Sequence, residues 1–344
     1  MSKTAKITLL VLGVLLLAAG AAGYVMYQKI YSPNIFVKDT KYLYIPRDAD
    51  FQQVKDSLYA NFRVEDEAML EMVAGWKNYP NKVKPGRYEI KDGMSNNALI
   101  NMLRSGNQKP VNVTFNNIRT LEQLSSRVSR QIDVDSVYLL QLLKDDGYMS
   151  KYGFDSRTCY AMFIPDTYQF FWNTSAEKFI ERMHACYCDY WTAERENRAS
   201  QLNLTKLQVS TLASIVQCEQ SVKKDEQPKI AGLYLNRLKI GMTLQSCPTV
   251  IYACGNWGVK RVTNAMLEVN SPYNTYKNVG LPPSPICFAE QSALDAVLNY
   301  DHNDYLYMCA KSDFSGYHNF SKTYDQHLRY AREFQRALSQ RGIH

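Results

Sequence analysis

The stretch Thr205-Lys-Leu-Gln-Val-Ser-Thr-Leu-Ala-Ser-Ile-Val-Gln-Cys-Glu219 decides how this chain of 344 residues is read. Thr205 and Gln208 have capping-box spacing, so a helix begins there. Leu212, Ile215, Val216 and Glu219 then recur at i, i+3, i+4 and i+7 and share one face. An apolar stripe therefore ends in an acid. A carboxyl held against apolar side chains is costly to ionise, so its pKa rises, as a general acid working near neutral pH requires. Periodicity alone leaves a plainer reading open, a rim glutamate paired with Lys223 or Arg237. Glu226, in the charged run Lys223-Lys-Asp-Glu226, reads as a solvated loop residue whose exchange for Gln changes little.

Upstream of this helix, residues 118–200 read as mostly helical. Leu121, Leu124 and Val128 share one face there, and Leu139, Leu142 and Leu143 another. A loop at 162–168 interrupts them, and 176–200 reads as one charged, aromatic helix. Further upstream, a strand signal at 42–45 precedes an amphipathic stretch at 50–62 with Phe51, Val54, Leu58 and Phe62 at helical spacing. Val64, Ala68, Met72 and Trp76 repeat that spacing. Pro85-Gly86 reads as a turn and 87–90 as a strand. Ser95 caps a helix with Leu99, Met102 and Leu103 inward and Gly106 as its stop, and 111–115 alternates as a strand.

Residues 7–27 carry no charge, and 20 or so apolar residues cross a bilayer core. Lys3 and Lys6 precede the run, which leaves the short N-terminus in the cytoplasm by the positive-inside rule. A cleaved signal peptide would have a shorter apolar core and a better cleavage site than Gly20 to Gly23, so an anchor is expected. Pro33 and Asn34 break any continuation of that helix, and 29–42 reads as a polar, aromatic stalk.

Composition sets the remaining bounds. Hydrophobic residues at 46% permit a sizeable core, and charged residues at 21% suit a folded chain. The net charge of +7 includes no block of basic residues, and no RRM, KH, zinc-finger or basic-zipper pattern occurs, so nucleic acid is not expected as a partner. All eight cysteines (159, 186, 188, 218, 247, 254, 287 and 309) fall in the C-terminal half. They read as small packed residues, with disulfides as the next reading; His184, Cys186 and Cys188 lack zinc-site spacing, so no metal is expected.

Longer motifs carry a resemblance. Leu212-Ala-Ser-Ile-Val-Gln-Cys-Glu-Gln220, Lys229-Ile-Ala-Gly-Leu-Tyr-Leu-Asn-Arg-Leu238 and Gly241-Met-Thr-Leu-Gln-Ser-Cys-Pro-Thr-Val250 follow one another. Ser271-Pro-Tyr-Asn-Thr-Tyr276, Gly280-Leu-Pro-Pro283 and Gly316-Tyr-His-Asn-Phe320 come after them. In order and spacing the set resembles the endolytic murein transglycosylase (YceG-like) family over nearly the whole chain. That family carries two glutamates on this helix, of which the second is catalytic. Here the positions hold Gln217 and Glu219, so the catalytic residue is carried over and the first carboxylate is lost. Cys247 stands where the family has Asp, and Tyr160-Ala161 where many members have Glu-Gly.

Around Glu219, the side chains of Asn236, Gln245, Thr249, Asn274 and Thr275 can bond sugar hydroxyls, and Tyr273 and Tyr276 offer flat faces to a pyranose ring. Asp166 is expected at the substrate too. His318 and His327 read as packed or surface histidines, and Gly280–Pro283 as a stiff wall.

The expected architecture is α+β. It comprises a cytoplasmic tip and transmembrane helix (1–28), the stalk (29–42), a small LysM-like α+β domain (43–115) and a larger mixed α/β catalytic domain (116–344). The resemblance implies cleavage of the β-1,4 bond between N-acetylmuramic acid and N-acetylglucosamine, leaving a 1,6-anhydro end. It implies no cofactor, and partners limited to peptidoglycan glycan strands, the inner membrane and neighbouring synthases. A hydrolytic muramidase using Asp166 or Glu290 to activate water, and a non-catalytic wall-binding scaffold, remain the alternatives.

Overall fold

The computed structural model describes residues 2–38, 40–259 and 262–342; Met1, Asp39, Lys260, Arg261, Ile343 and His344 lie outside it. Helix α1 (Lys3–Tyr31) opens with the Ala5 N–H donating to Ser2 Oγ and ends where Ser32 turns extended ahead of Pro33. Its 29 residues span about 43 Å at ~1.5 Å per residue, more than a bilayer core of ~30 Å. Its most apolar window has a mean hydropathy of 2.3, and none of it is buried. The helix is consistent with a single-pass anchor.

The chain packs as two units. The first runs to Val113 and also takes in 131–133 and 169–174; the second holds the remaining residues. In the first unit, β1 (Pro33–Val37) is followed by β2 (Tyr42–Ile45), α2 (Phe51–Asn61), β3 (Phe62–Val64), α3 (Glu67–Trp76), β4 (Gly86–Glu89), β5 (Met94–Ser95) and α4 (Asn96–Ser105). Strand β1 lies between β3 and β5, and β2 pairs antiparallel with β4.

This corrects the stalk reading of 29–42, since 33–37 form the central strand of a sheet. The polar residues that suggest a linker satisfy one another inside the fold. Asn34 donates to Asn96 Oδ1 at 2.7 Å and accepts from the Asp66 N–H at 2.7 Å, while Asn96 donates to the Lys29 carbonyl at 3.0 Å. The register of α3 is also corrected. Met69, Leu70, Val73 and Ala74 face the core, whereas Met72 and Trp76 are exposed. This helix carries apolar residues on two faces at 3–4 spacing, so periodicity could not choose between them. The other signals hold: Val54 and Leu58 are buried, Ser95 caps α4, and Gly106 ends it in the left-handed region at φ 76°.

Strand β6 (Val111–Phe115) pairs with β7 (Asp166–Phe170), so part of the expected 162–168 loop is strand, and the helices from residue 121 onward belong to the second unit. Between them lie α5 (Leu121–Ser129), α6 (Ser136–Lys144) and α7 (Asp146–Met149). The single helix expected at 176–200 is two, α8 (Ala176–Tyr190) and α9 (Ala193–Gln201), because Thr192 turns extended and caps the second. Next come α10 (Lys206–Glu219), α11 (Gln227–Lys239), α12 (Cys247–Ala253), α13 (Asn264–Leu267), α14 (Gln291–Leu298), the hairpin β8 (Tyr307–Ala310) and β9 (His318–Ser321), and α15 (Tyr324–Gln340).

Helix α10 is the axis of this unit. Its capping box forms as expected, but every residue from 209 to 217 is buried, so it is enclosed rather than striped. Two of its hydroxyls bond back one turn, Thr211 to the Leu207 carbonyl at 2.8 Å and Ser214 to the Thr211 carbonyl at 2.7 Å, while Ser210 Oγ is buried without a partner among the described residues. Gly232 lets α11 approach the neighbouring chain, since a Cβ there would lie 2.3 Å from the Asp301 carbonyl oxygen.

All eight cysteines are free. Only Cys159 and Cys287 are fully buried, so the packed reading applies to those two, while Cys188, Cys247 and Cys254 are exposed. Cys218 and Cys287 place their sulfurs 3.4 Å apart.

Candidate active site

Helix α10 stops at Glu219 because the next residue becomes a hub for the following turn. The Gln220 side chain accepts from the Lys223 N–H at 3.0 Å and donates to the Gly316 carbonyl at 2.8 Å. Glu219 is left on the last turn, partly enclosed. Tyr234, from α11, donates its hydroxyl to Glu219 Oε1 at 2.8 Å, and Ser246 Oγ donates to the same oxygen at 2.5 Å. The paired partners Lys223 and Arg237 are not what holds it: the buried Arg237 donates instead to the carbonyls of Leu306, Thr243 and Leu244.

Burial pushes the Glu219 pKa above the ordinary carboxyl value of 4.5, outweighing the hydroxyls of Ser246 and Tyr234 and the charges of His318 and Arg237, which all pull it down. Both hydroxyls occupy Oε1, and Oε2 has no protein partner among the described residues. When the carboxyl is protonated, Oε2 is therefore the oxygen free to carry the proton.

Ser246 is itself held from behind. Its N–H donates to Thr275 Oγ1 at 3.0 Å, its carbonyl accepts from Thr249 Oγ1 at 2.7 Å, and the two threonine hydroxyls meet at 2.8 Å. The expectation that Thr249, Asn274 and Thr275 bond the sugar is thereby corrected. These side chains are 0%, 0% and 2% exposed, and their polar atoms are spent inside the fold. Asn274 donates to the carbonyls of Leu267 and Val269, which shapes the loop bearing Thr275.

Asn236 is a support as well, donating to the carbonyls of Asn303 and Tyr305 at 2.8 and 3.1 Å. It lines a separate groove of about 940 Å³ with Gly280–Pro283, and Glu219 is not among that groove's walls. Tyr273 bonds Ser284 at 2.5 Å and packs on Tyr252. Asp166 sits exposed on β7 and is no part of the Glu219 cavity.

That cavity, of about 310 Å³, brings together Glu219, Tyr234, Arg237, Gln245, Cys247 and Tyr276 with Tyr307, His318 and His327 from the C-terminal hairpin and helix. Of the expected sugar contacts, Gln245 and Tyr276 line it. Gln245 is held at φ 51°, a conformation unusual for a non-glycine residue and one found at functional sites. Glu219 is the only carboxylate among the lining residues.

The departures from the family pattern find local explanations. Gln217 donates to the Phe288 carbonyl at 3.2 Å and accepts from the Glu290 N–H at 2.6 Å, a donor–acceptor pair that a carboxylate could not supply. Tyr160 stacks on Phe288 with centroids 4.7 Å apart. Cys247 Sγ lies 3.2 Å from the Tyr276 hydroxyl.

Sequence reasoning missed Tyr234, Ser246 and Glu226. Tyr234 and Ser246 stand inside quoted motifs, and a polar tip on an apolar helix was the available signal for the first. Glu226 is corrected outright. It is 6% exposed and accepts from Gln220 Nε2, the His318 N–H and His318 Nδ1 at 3.0, 2.8 and 2.7 Å.

Residues 43–333 match the model of the YceG-like family. An endolytic murein transglycosylase of Bacillus subtilis is 31% identical over 307 residues, covering 84% of this chain and 83% of that protein. The endolytic murein transglycosylase of Streptococcus pneumoniae serotype 2 is 28% identical over 331 residues, covering 86% of this chain and 60% of its own length. The crystal structure of a yceG-like protein from Listeria monocytogenes superposes with a TM-score of 0.56 at 25% identity, over 84% of this chain and 97% of that one. The chain belongs to the YceG-like family.

Proposed function

We propose that this protein is a membrane-anchored, endolytic peptidoglycan lytic transglycosylase in which Glu219 serves as both acid and base. The observation that carries this is a single carboxyl, biased toward its protonated form by burial, in a cavity with no second carboxylate among the described lining residues. Hydrolytic glycosidases generally place two carboxylates across the scissile bond. Kinship with the endolytic murein transglycosylases implies a nucleophile supplied by the substrate, a route that a single carboxylate can serve.

Glu219 Oε2–H protonates the glycosidic oxygen between N-acetylmuramic acid and N-acetylglucosamine, and the C1–O bond breaks. The resulting carboxylate then takes the proton of the muramic C6 hydroxyl as that oxygen closes on C1. Glu219 is restored, no water is consumed, and a 1,6-anhydro end remains. Holding the C6 hydroxyl against C1 replaces a bimolecular step by a proximity effect. Tyr234 and Ser246 stay on Oε1 throughout, so they steady the carboxylate that forms after the first transfer.

Lys3 and Lys6 ahead of α1 support an orientation with the catalytic unit outside the cytoplasm, as a single-pass protein of the inner membrane. The separately packed first unit, read as LysM-like, holds glycan near the site. Release or termination of nascent strands beside synthases fits an enzyme fixed at the membrane surface.

The competing muramidase needs a base for water. Glu290 is bound to Lys224 at 2.6 Å, and neither it nor Asp166 lines the cavity. The test is mass spectrometry of sacculi digested with the purified protein. Anhydro-muramic ends support the proposal, reducing ends would establish the muramidase, and no new ends would leave the scaffold reading.

A further inference from the structure

We propose that His318 is a second substrate-contacting group of the Glu219 site, and that Glu226 is the positioning residue that fixes its ring. The inference rests on the glycan-cleaving reading of Glu219 but adds residues that reading does not use. It begins from a side chain that looks out of place. Glu226 belongs to a charged run, yet it is buried at 6% exposure, and three N–H donors converge on its carboxylate. Oε1 accepts from the His318 backbone N–H at 2.8 Å. Oε2 accepts from Gln220 Nε2 at 3.0 Å and from His318 Nδ1 at 2.7 Å. A group that only accepts can satisfy all three.

The consequence falls on the imidazole. With Nδ1–H donating to Glu226, the ring in its neutral form has its proton on Nδ1 and its lone pair on Nε2. The backbone bond and the side-chain bond together pin both ends of His318 at the start of β9. Nε2 has no protein partner among the described residues, and the side chain keeps 17% of its surface open as part of the Glu219 cavity wall. A ring oriented this firmly, with one nitrogen spent on a buried carboxylate and the other open to a catalytic cavity, is arranged to accept a hydrogen bond from a ligand. In a cavity for glycan the donor is a sugar hydroxyl. The same hub ties the two acids together. Gln220, the residue after Glu219, donates to both Glu226 and the Gly316 carbonyl, so the catalytic helix end and the hairpin loop carrying His318 share one set of bonds.

The experiment uses the full-length protein on purified sacculi, counting new muramic ends and checking each variant's fold by thermal melting. In His318→Asn the shorter amide keeps a donor near the Nδ1 position for Glu226 but has nothing at Nε2. In His318→Gln the longer amide reaches the Nε2 position. In Glu226→Gln one acceptor becomes a donor, which favours the other tautomer and turns a proton toward the substrate hydroxyl.

The expected result is a loss of about 10–100-fold in kcat/KM for His318→Asn with the fold intact, the scale of leaving one polar group of a bound ligand unpaired. His318→Gln should recover part of that activity, and Glu226→Gln should lose at least about 10-fold. The double variant His318→Asn/Glu226→Gln should be no worse than His318→Asn alone, because Glu226 acts through His318. Wild-type activity in His318→Asn would overturn the role of Nε2. Additive losses in the double variant would overturn the positioning role of Glu226. Should His318→Asn melt early, recovery by His318→Gln decides, and a His318→Gln variant that folds yet is inactive contradicts the proposal. The underlying reading fails separately, if the wild-type protein yields no ends or if Glu219→Gln does not abolish them.

Discussion

Glu219 and Glu226 stand seven residues apart and are both largely removed from solvent, yet the structure uses them in opposite ways. Glu219 receives two neutral hydroxyl donors on one oxygen and leaves the other to the cavity. Glu226 receives three N–H donors spread over both oxygens and has none to spare. The difference teaches that burial alone does not make a catalytic acid. What matters is whether an oxygen remains free to carry a proton toward a ligand, which depends on partners supplied by distant elements.

The strongest way to break this comparison is Glu219→Gln. The amide oxygen can still accept from Tyr234 and Ser246, but no proton can be transferred. One group serves both transfers, so the rate of end formation should fall by at least about 10⁴-fold. The same variant sharpens the comparison through stability. The folded protein raises the Glu219 pKa, so its contribution is fully present below 4.5 and is lost as pH rises through the folded value. Melting temperatures should therefore show Glu219→Gln gaining on wild type toward neutral and alkaline pH, and the gap closing in acid.

Ser246→Ala removes one of the two donors that hold down the Glu219 pKa. Activity should fall by roughly 10²-fold, the low end of what a single charge-stabilising donor contributes, and the alkaline limb of the pH–rate profile should move to higher pH. Gln217→Glu tests the other side of the helix. It would set a carboxylate oxygen against the Phe288 carbonyl in place of the present donor, costing about 1–3 kcal/mol of stability in denaturant melts while leaving the active-site residues unchanged. Asp166→Asn should be the smallest effect, within about twofold of wild-type activity, since Asp166 is exposed on β7 and not a wall of the cavity.

Much of this was legible in the chain where the signal is local. The capping box at Thr205 and Gln208, the Ser95 cap and the Gly106 stop each depend on residues within one turn, and each appears as read. Glu219 stood out because the apolar run of its helix ends on an acid and a longer resemblance runs through it. What escaped depends on pairing across the sequence. Asn34 looks like a linker residue until Asn96 and Asp66 arrive beside it. Glu226 looks solvated until Gln220 and His318 close over it. Helix α3 has two apolar faces, and only the fold selects Leu70 and Val73 over Met72 and Trp76. Thr249, Asn274 and Thr275 were found near the site in the sequence, but a polar side chain in a motif supports the wall as readily as it meets the ligand.

The most direct test of the central claim reads the Glu219 proton itself. Infrared difference spectra of wild type against Glu219→Gln, recorded as a function of pH, isolate the carbonyl stretch of that one carboxyl. A protonated-carboxyl band should persist above pH 4.5, where ordinary glutamates have lost theirs, and fade in step with the alkaline limb of activity. A band that disappears at or below that value, with activity continuing above it, would contradict the assignment of Glu219 as the acid.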